Sequence, residues 1–266
     1  MNQKTYRASL FLALALAALG NAYAAPVNLL SQSNAYTQNF DTLDNVAGSI
    51  TSAGLPSGWV IAESGNGARD NELYAVGTGS STTGDIYSFG AAGSTERALG
   101  SLRSGTLIPA FGVQFLNSTG ATITALDIAL TGEQWRLGAT GRTDRLIFQY
   151  STDATALDSG TYLDFSALDF VTPTTTQVGV KNGNDAANST ALNATIGGLK
   201  IAANGTFWLR WSDFDASGSN DGLAIDNFSL TAQVASSPSS FAVPEPGSLT
   251  LAGLALLGLL SRRSRY

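Results

Sequence analysis

Histidine and cysteine are both missing from the 266-residue chain. Without histidine the chain cannot build a Ser-His-Asp or Cys-His catalytic site, an ordinary zinc site or the commonest general base. Without cysteine it forms no disulfides, although an exported protein could carry them. A domain of this length can bury enough apolar surface without such cross-links. The absence of histidine is the strongest negative evidence in the sequence, because it removes these common catalytic arrangements.

Positive charge is also scarce. The chain has 14 lysines and arginines against 20 aspartates and glutamates, which gives a net charge of −6. Several of the basic residues stand at the two ends of the chain, namely Lys4, Arg7, Arg262, Arg263 and Arg265. The body between the ends is therefore more acidic than the whole-chain figure. This excludes nucleic acid as a partner, because phosphates require a basic face.

Long runs of helical periodicity are absent between the two ends. Short segments alternate apolar and polar residues instead, as in Leu126–Leu130, Leu146–Tyr150 and Phe207–Trp211. A period of two places one face of a strand against a core. Turn-forming Gly, Asn, Asp and Ser residues separate these segments. The pattern predicts an all-β, jelly-roll-like β-sandwich over residues 25–234, followed by a Ser-rich linker at 235–242.

The N-terminus has the features of a secretory signal peptide at residues 1–24. Lys4 and Arg7 precede the apolar run Leu10–Leu19, and Ala22 and Ala24 supply the small residues that a signal peptidase reads. The run is too short to span a membrane. Export and cleavage by signal peptidase after Ala24 are therefore predicted.

The C-terminus, residues 243–266, has a short apolar segment of its own. Leu249–Leu260 carries no charge and is followed by Arg262, Arg263 and Arg265. A spanning helix usually needs roughly 17–25 residues, so this one is minimal. Arginines stay on the cytoplasmic side, so the body lies outside. We expect a membrane-anchored precursor, held by a short C-terminal transmembrane helix.

Before that segment stands Pro244-Glu245-Pro246, where two prolines keep the chain extended. Pro-Glu-Pro, a short apolar helix and an arginine cluster together resemble the PEP-CTERM sorting signal of Gram-negative bacteria that make exopolysaccharide. The resemblance implies that an exosortase removes the tail. It also implies that the body then remains at the cell surface or in the extracellular matrix, where a polysaccharide is a partner.

The body resembles a widespread secreted bacterial ectodomain in the segments Ile86–Gly90, Arg97–Ser101, Thr131–Arg136 and Gly222–Phe228. The last segment is also similar to the final strand of jelly-roll modules of the MAM and carbohydrate-binding kind. Asn39–Asp41 is similar to their first strand.

Aspartates concentrate near the end of the body, where they suggest a calcium site. Asp213, Asp215 and Asp221 belong to one Gly-containing loop, and oxygen ligands of this kind suit Ca²⁺. Asp226 follows on a strand and is expected to share an inward face with Ala224, Phe228 and Leu230. The jelly-roll resemblance adds Asp41, because calcium often joins the first and last strands of such modules. A solvated acidic loop is the alternative.

A second group could bind a sugar. Aromatic faces stack on pyranose rings, and carboxylates accept hydrogen bonds from hydroxyls. The members of this predicted platform are Glu133, Trp135, Arg136, Trp208 and Arg210. The alternative is that the tryptophans are core residues.

The body is therefore predicted to be a structural, adhesive or carbohydrate-binding module of an exported surface protein. A secreted glycan hydrolase that uses two carboxylates is the alternative function. No spacing selects such a pair, so no catalytic residue is assigned.

Overall fold

The computed structural model describes residues 25–30, 34–68 and 73–235. These residues form two β-sheets and one short 3-10 turn, Ser166–Leu168. The predicted all-β, jelly-roll-like sandwich is confirmed. The signal peptide, nearly all of the Ser-rich linker and the C-terminal tail lie outside the described residues. Within the described part, no helix is long and apolar enough to cross a membrane.

Sheet A has seven strands among the described residues. They are β1 (Val27–Leu29), β4 (Trp59–Ser64), β8 (Ile108–Asn117), β10 (Arg145–Ser151), β11 (Leu163–Asp164), β12 (Phe170–Val171) and β15 (Thr206–Asp213). Strand β8 pairs with β15 and β15 with β10, both antiparallel, and these strands form the middle of the sheet. Strands β1 and β4 both pair with the other edge of β8.

Sheet B has nine strands over the same described ranges. They are β2 (Tyr36–Gln38), β3 (Ile50–Thr51), β5 (Tyr74–Gly77), β6 (Asp85–Phe89), β7 (Ala98–Leu102), β9 (Ile123–Leu137), β13 (Gly179–Val180), β14 (Ser189–Ile196) and β16 (Gly222–Val234). The central order is β9-β16-β7-β6. The long antiparallel pair of β9 and β16 organises this sheet.

The main core lies between the sheets, and the predicted alternation places its residues correctly. Leu126, Ile128 and Leu130 of β9 are buried and belong to the core cluster, as do Leu146 and Phe148 of β10 and Phe207, Leu209 and Trp211 of β15. Trp211 lies at its centre, with its ring 5.8 Å from that of Trp59. Full burial of each large apolar side chain contributes about 1.5–3 kcal/mol, so this cluster supplies most of the folding free energy.

Smaller apolar clusters cover the outer faces of both sheets. On sheet A, Ala154 and Leu157 from the loop after β10 pack on Trp208. On sheet B, Trp135 packs with Tyr87 and Phe89, whose ring is parallel to the indole at 6.2 Å. Because these clusters exist, residues that face away from the main core can still be buried.

A β-bulge in β16 changes which side chains face the core. Three steps from Asp226 to Ser229 oppose only two on β9, from Thr131 to Ala129. Asn227 absorbs the extra residue with a positive φ of 50°, a conformation that asparagine tolerates better than most residues. Leu223, Ile225, Phe228 and Leu230 belong to the main core, whereas Ala224 belongs to the outer cluster. The expectation that Asp226 shares a face with Phe228 and Leu230 is therefore wrong.

Candidate functional site

The structure does not bring the five residues of the predicted sugar platform together. Trp135 lies on the outer face of sheet B and Trp208 on the outer face of sheet A. Their exposed fractions are 1% and 0%, so neither indole offers a face to a ligand. Both tryptophans act as packing residues, which is the alternative that the sequence left open.

The two arginines of that group also have local partners. Arg136 donates to the backbone carbonyl oxygens of Gly79 and Ser80. Arg210 donates to Gln149 Oε1 at 2.9 Å and 2.6 Å, and its guanidinium lies 3.5 Å from the ring centre of Tyr162. These contacts hold strands and loops in place, and the structure assigns neither side chain to a ligand.

Arginine residues contact the aspartates of the predicted calcium loop. Asp213 Oδ2 accepts hydrogen bonds from Ser101 Oγ at 2.8 Å and from the backbone N–H of Arg103 at 3.1 Å. The Arg103 guanidinium forms an ion pair with the exposed carboxylate of Asp215 at 3.4 Å. Asp213 is buried where β15 meets β7, so its carboxylate links the two sheets.

Asp221 has a different arginine. Its Oδ1 accepts a hydrogen bond from the backbone N–H of Gly138 at 2.7 Å and lies 3.1 Å from the guanidinium of Arg142. Arg142 also lies 3.4 Å from Asp144, a buried carboxylate that accepts a hydrogen bond from the backbone N–H of Asp221. We refer to Asp144, Asp213 and Asp221 as the loop group. Arg142 pairs with Asp144 and Asp221, whereas Asp213 has neutral donors on Oδ2 and its buried Oδ1 accepts no hydrogen bond.

Carboxylates gather more closely elsewhere, in a set that includes only one member of the predicted calcium site. Glu96, Glu133 and Asp226 each offer one oxygen, and these three oxygens lie within 4.8 Å of one another. Glu133 is on β9 opposite Ala224, Asp226 follows on β16, and Glu96 stands just before β7. We refer to these three residues as the strand group. Within the described ranges it is the only such cluster of three or more possible metal ligands.

Neutral donors position the strand group. Trp135 Nε1 donates to Glu133 Oε2 at 2.9 Å, and Asn227 Nδ2 donates to Asp226 Oδ2 at 2.7 Å. Asn184 Nδ2 donates to Glu96 Oε2. The other oxygen of Asp226, Oδ1, is buried and accepts no hydrogen bond.

The strand group is buried and negatively charged. Glu133 is 2% exposed and Asp226 is 4% exposed. Burial, followed by the charges of Asp226 and Glu96, raises the pKa of Glu133 to about 8. Burial, followed by the charges of Glu96 and Asp41, raises the pKa of Asp226 to about 7. In both residues burial is the main cause, because it disfavours the charged form of a carboxyl group.

Asp41 lies near this group but has other partners. Its Oδ1 accepts a hydrogen bond from the backbone N–H of Arg97 at 3.2 Å, and its Oδ2 accepts one from Asn39 Nδ2 at 2.6 Å. The predicted calcium site included Asp41, but Asp41 is not one of the three carboxylates that converge at Asp226. Sequence reasoning missed Glu96 and gave Glu133 another role, because neither belongs to an acidic run.

A separate surface pocket of about 400 Å³ opens at the edge of sheet B that carries β5 and β6. The loops around residues 45–50, 77–83 and 91–92 form its walls. Its lining combines polar side chains, such as Asn45, Ser49, Ser81 and Thr83, with apolar ones, such as Ile50, Val76 and Tyr87, and includes Ala92. Its size falls in the range of small-molecule sites, and its hydroxyl and amide groups can exchange hydrogen bonds with a polar ligand.

Comparison with known proteins identifies the C-terminus. Residues 242–265 match the PEP-CTERM protein-sorting motif, which confirms the resemblance seen in the sequence. The motif indicates an exported surface protein that an exosortase processes. No curated protein matches the chain.

Several solved β-structures are similar to the body at low identity. The CBM22-1 xylan-binding domain from Paenibacillus barcinonensis aligns with 80% of this chain and 100% of its own, at 10% identity and a TM-score of 0.39. The K3 adhesin domain of Lys-gingipain from Porphyromonas gingivalis aligns over 74% and 97%, at 15% identity and 0.40. The family 11 carbohydrate-binding module from Clostridium thermocellum aligns over 75% and 98%, at 9% and 0.35. At these values, any function of the body must be argued from its own residues.

Proposed function

We propose that this chain is the precursor of a cell-surface or matrix protein of a Gram-negative bacterium, and that its β-sandwich is a non-catalytic module that binds extracellular polysaccharide. The observation that carries the sorting half of the proposal is the PEP-CTERM motif at residues 242–265. Signal peptidase removes residues 1–24, and the apolar segment Leu249–Leu260 then holds the precursor in the membrane until an exosortase acts.

The order of residues in the tail supports this route. Pro244 and Pro246 prevent a helix in the segment before the apolar run, so Glu245 is presented in an extended chain. Arg262, Arg263 and Arg265 keep the C-terminus on the cytoplasmic side. An enzyme on the non-cytoplasmic side of this membrane then meets Pro-Glu-Pro before the membrane-embedded segment.

The sorting half can be tested by expressing the chain in a PEP-CTERM host with and without its exosortase. We expect the mature protein to start at Ala25 in both hosts. We expect it to lack the apolar tail only in the host that has the exosortase. Mass spectrometry of the surface fraction measures both ends. An unprocessed C-terminus in the host that has the exosortase would contradict the proposal.

The polysaccharide half of the proposal depends on the pocket beside β5 and β6. Sugars are bound by hydrogen-bonding side chains in a concave site, and this pocket supplies hydroxyl and amide groups in a suitable volume. The body is acidic, so a neutral or cation-bridged polysaccharide fits it better than a strongly anionic one.

Binding can be tested with the processed protein released from cells and polysaccharide purified from the same host. Ala92→Trp places an indole in the pocket from an exposed turn and should reduce binding at least tenfold. Ala191→Trp adds the same side chain to an exposed position on β14 and should leave binding unchanged. Equal binding by both variants would mean that the polysaccharide does not bind in this pocket.

One observation favours a glycan hydrolase as a second candidate. Glu133 and Asp226 lie close together, and a carboxyl group with a raised pKa suits a general acid. Their exposed fractions of 2% and 4% leave no opening for a polymer, which supports the binding module instead. Incubation with host polysaccharide should yield no new reducing ends, whereas turnover that Glu133→Gln abolishes would establish the hydrolase.

A further inference from the structure

We propose that Glu96, Glu133 and Asp226 together bind one calcium ion on the outer face of sheet B. None of its three residues belongs to the sorting motif or lines the polysaccharide pocket, so the inference goes beyond the proposed function. It also differs from the site that the acidic loop suggested, since Asp213, Asp215 and Asp221 are not part of it.

The first argument is uncompensated charge. Three carboxylates converge within 4.8 Å, and two of them are almost fully buried. Among the described residues, no lysine or arginine forms an ion pair with any of the three. Buried carboxylates require a cation, a set of strong donors or a bound proton.

The second argument is an atom prepared to be a ligand. Asp226 is only 4% exposed, and its Oδ1 is buried and accepts no hydrogen bond. One oxygen of each carboxylate is fixed by Trp135, Asn227 or Asn184, as neutral second partners fix the ligands of metal sites. An unsatisfied buried oxygen destabilises the folded chain, and a cation would remove that penalty.

The third argument concerns the identity of the ion. The chain has no histidine or cysteine, so only oxygen ligands are available, and these suit hard cations. Calcium accepts six to eight oxygens in flexible geometry, whereas magnesium requires a near-ideal octahedron and keeps its waters. Carboxylates fixed on strands and covered by loops cannot rearrange easily, so they favour calcium.

The position of the site gives calcium a structural role. Glu133 is on β9, Asp226 is on β16 beside the bulge, and Glu96 leads into β7. These strands are neighbours in the order β9-β16-β7. One ion would therefore tie three adjacent strands together where the ladder between β9 and β16 is interrupted.

The proposal can be tested on the full-length chain in detergent, stripped with a chelator and titrated with calcium or magnesium chloride. A ligand that binds only the folded state raises the melting temperature, by about 5–10 °C at roughly one hundred times the dissociation constant. Magnesium should produce a smaller rise. Glu133→Gln and Asp226→Asn keep the shape of each side chain and should abolish the calcium effect, whereas Asp215→Asn, in the acidic loop, should retain it.

Terbium luminescence gives a local readout that a general salt effect would not produce. Terbium replaces calcium at oxygen sites, and Trp135 lies within hydrogen-bond distance of Glu133, so indole excitation should produce terbium emission. Calcium should displace it, and Glu133→Gln should remove it. The proposal is overturned if calcium changes neither signal, or if Asp215→Asn removes both while Glu133→Gln retains them.

Discussion

The loop group and the strand group are both sets of buried carboxylates, but two members of the loop group, Asp144 and Asp221, face an arginine, whereas no ion pair among the described residues involves the strand group. In the loop group, Arg142 lies 3.1 Å from Asp221 and 3.4 Å from Asp144. In the strand group, the donors are neutral indole and amide N–H groups. The comparison teaches that the density of acidic residues in a loop does not locate an ion. An arginine beside the carboxylates can already take the place that an ion would have.

Two arginines lie near the strand group in sequence, yet neither neutralises it. The Arg97 guanidinium donates to Ser88 and to the backbone carbonyl oxygen of Gly77, on the core side of β6. Arg136 donates to the backbone carbonyl oxygen of Gly79. Both arginines hold loops of sheet B, and neither forms an ion pair with the strand group, although the charge of Glu96 acts on Arg97.

The largest expected effect comes from breaking the loop group. Asp221→Ala removes the carboxylate that pairs with Arg142 and that accepts hydrogen bonds from Thr172 Oγ1 and the Gly138 N–H. Removal of one partner from a buried ion pair costs about 3–5 kcal/mol. Urea denaturation should show this loss with calcium present or absent.

Asp215→Ala is the matched control, because the side chain of Asp215 is 61% exposed and also pairs with an arginine. An exposed ion pair contributes roughly 0–1 kcal/mol. Similar losses for Asp221→Ala and Asp215→Ala would contradict the burial on which the comparison depends.

An intermediate effect is expected on the pH dependence of stability in chelator. The pKa of Glu133 rises from 4.5 to about 8, mainly through burial, and that of Asp144 from 3.8 to about 6, also mainly through burial. Both carboxyl groups bind protons more tightly in the folded chain than in the unfolded chain. The free energy of unfolding is therefore greatest in acid and falls as pH rises through each interval.

The two variants should flatten different parts of that profile. Glu133→Gln should reduce the fall between about pH 6 and pH 8, whereas Asp144→Asn should reduce only the fall below about pH 6. Denaturation midpoints at intervals across this range measure the slopes. A wild-type profile that rises from pH 6 to pH 8 would show that these carboxylates are stabilised as ions without a metal.

The smallest expected effect is that of Asp226→Asn without calcium. The change removes one of three like charges and keeps an oxygen that can accept from Asn227, so stability should rise slightly, by no more than about 1 kcal/mol. Thermal melts in chelator measure it. A loss similar to that of Asp221→Ala would mean that the charge of Asp226 is already compensated.

Much of the sandwich could be predicted from alternation alone. Leu126–Leu130 and Phe207–Trp211 form strands with the expected apolar residues in the core. The position of Asp226 could not be predicted in this way, because one extra residue at Asn227 reverses the faces of β16 on either side of it. A period-two rule has no means of detecting such a bulge.

The partners of the acidic loop could not be predicted from the sequence for a different reason. Arg103 and Asp213 are 110 residues apart in sequence, and Gly138 and Asp221 are 83 apart. Spacing within the loop therefore indicated possible ligands but not the guanidinium groups that occupy their surroundings. Glu96 and Glu133 were separated in the same way, and only the pairing of β9, β16 and β7 brings them to Asp226.

Calorimetric titration of calcium into the chelator-stripped, full-length chain tests the central claim most directly, because it counts bound ions. The account predicts one calcium per chain for the wild type and for Asp215→Asn, and none for the Glu133→Gln/Asp226→Asn double variant. No binding by the wild type, or one calcium bound by the double variant as tightly as by the wild type, would contradict it.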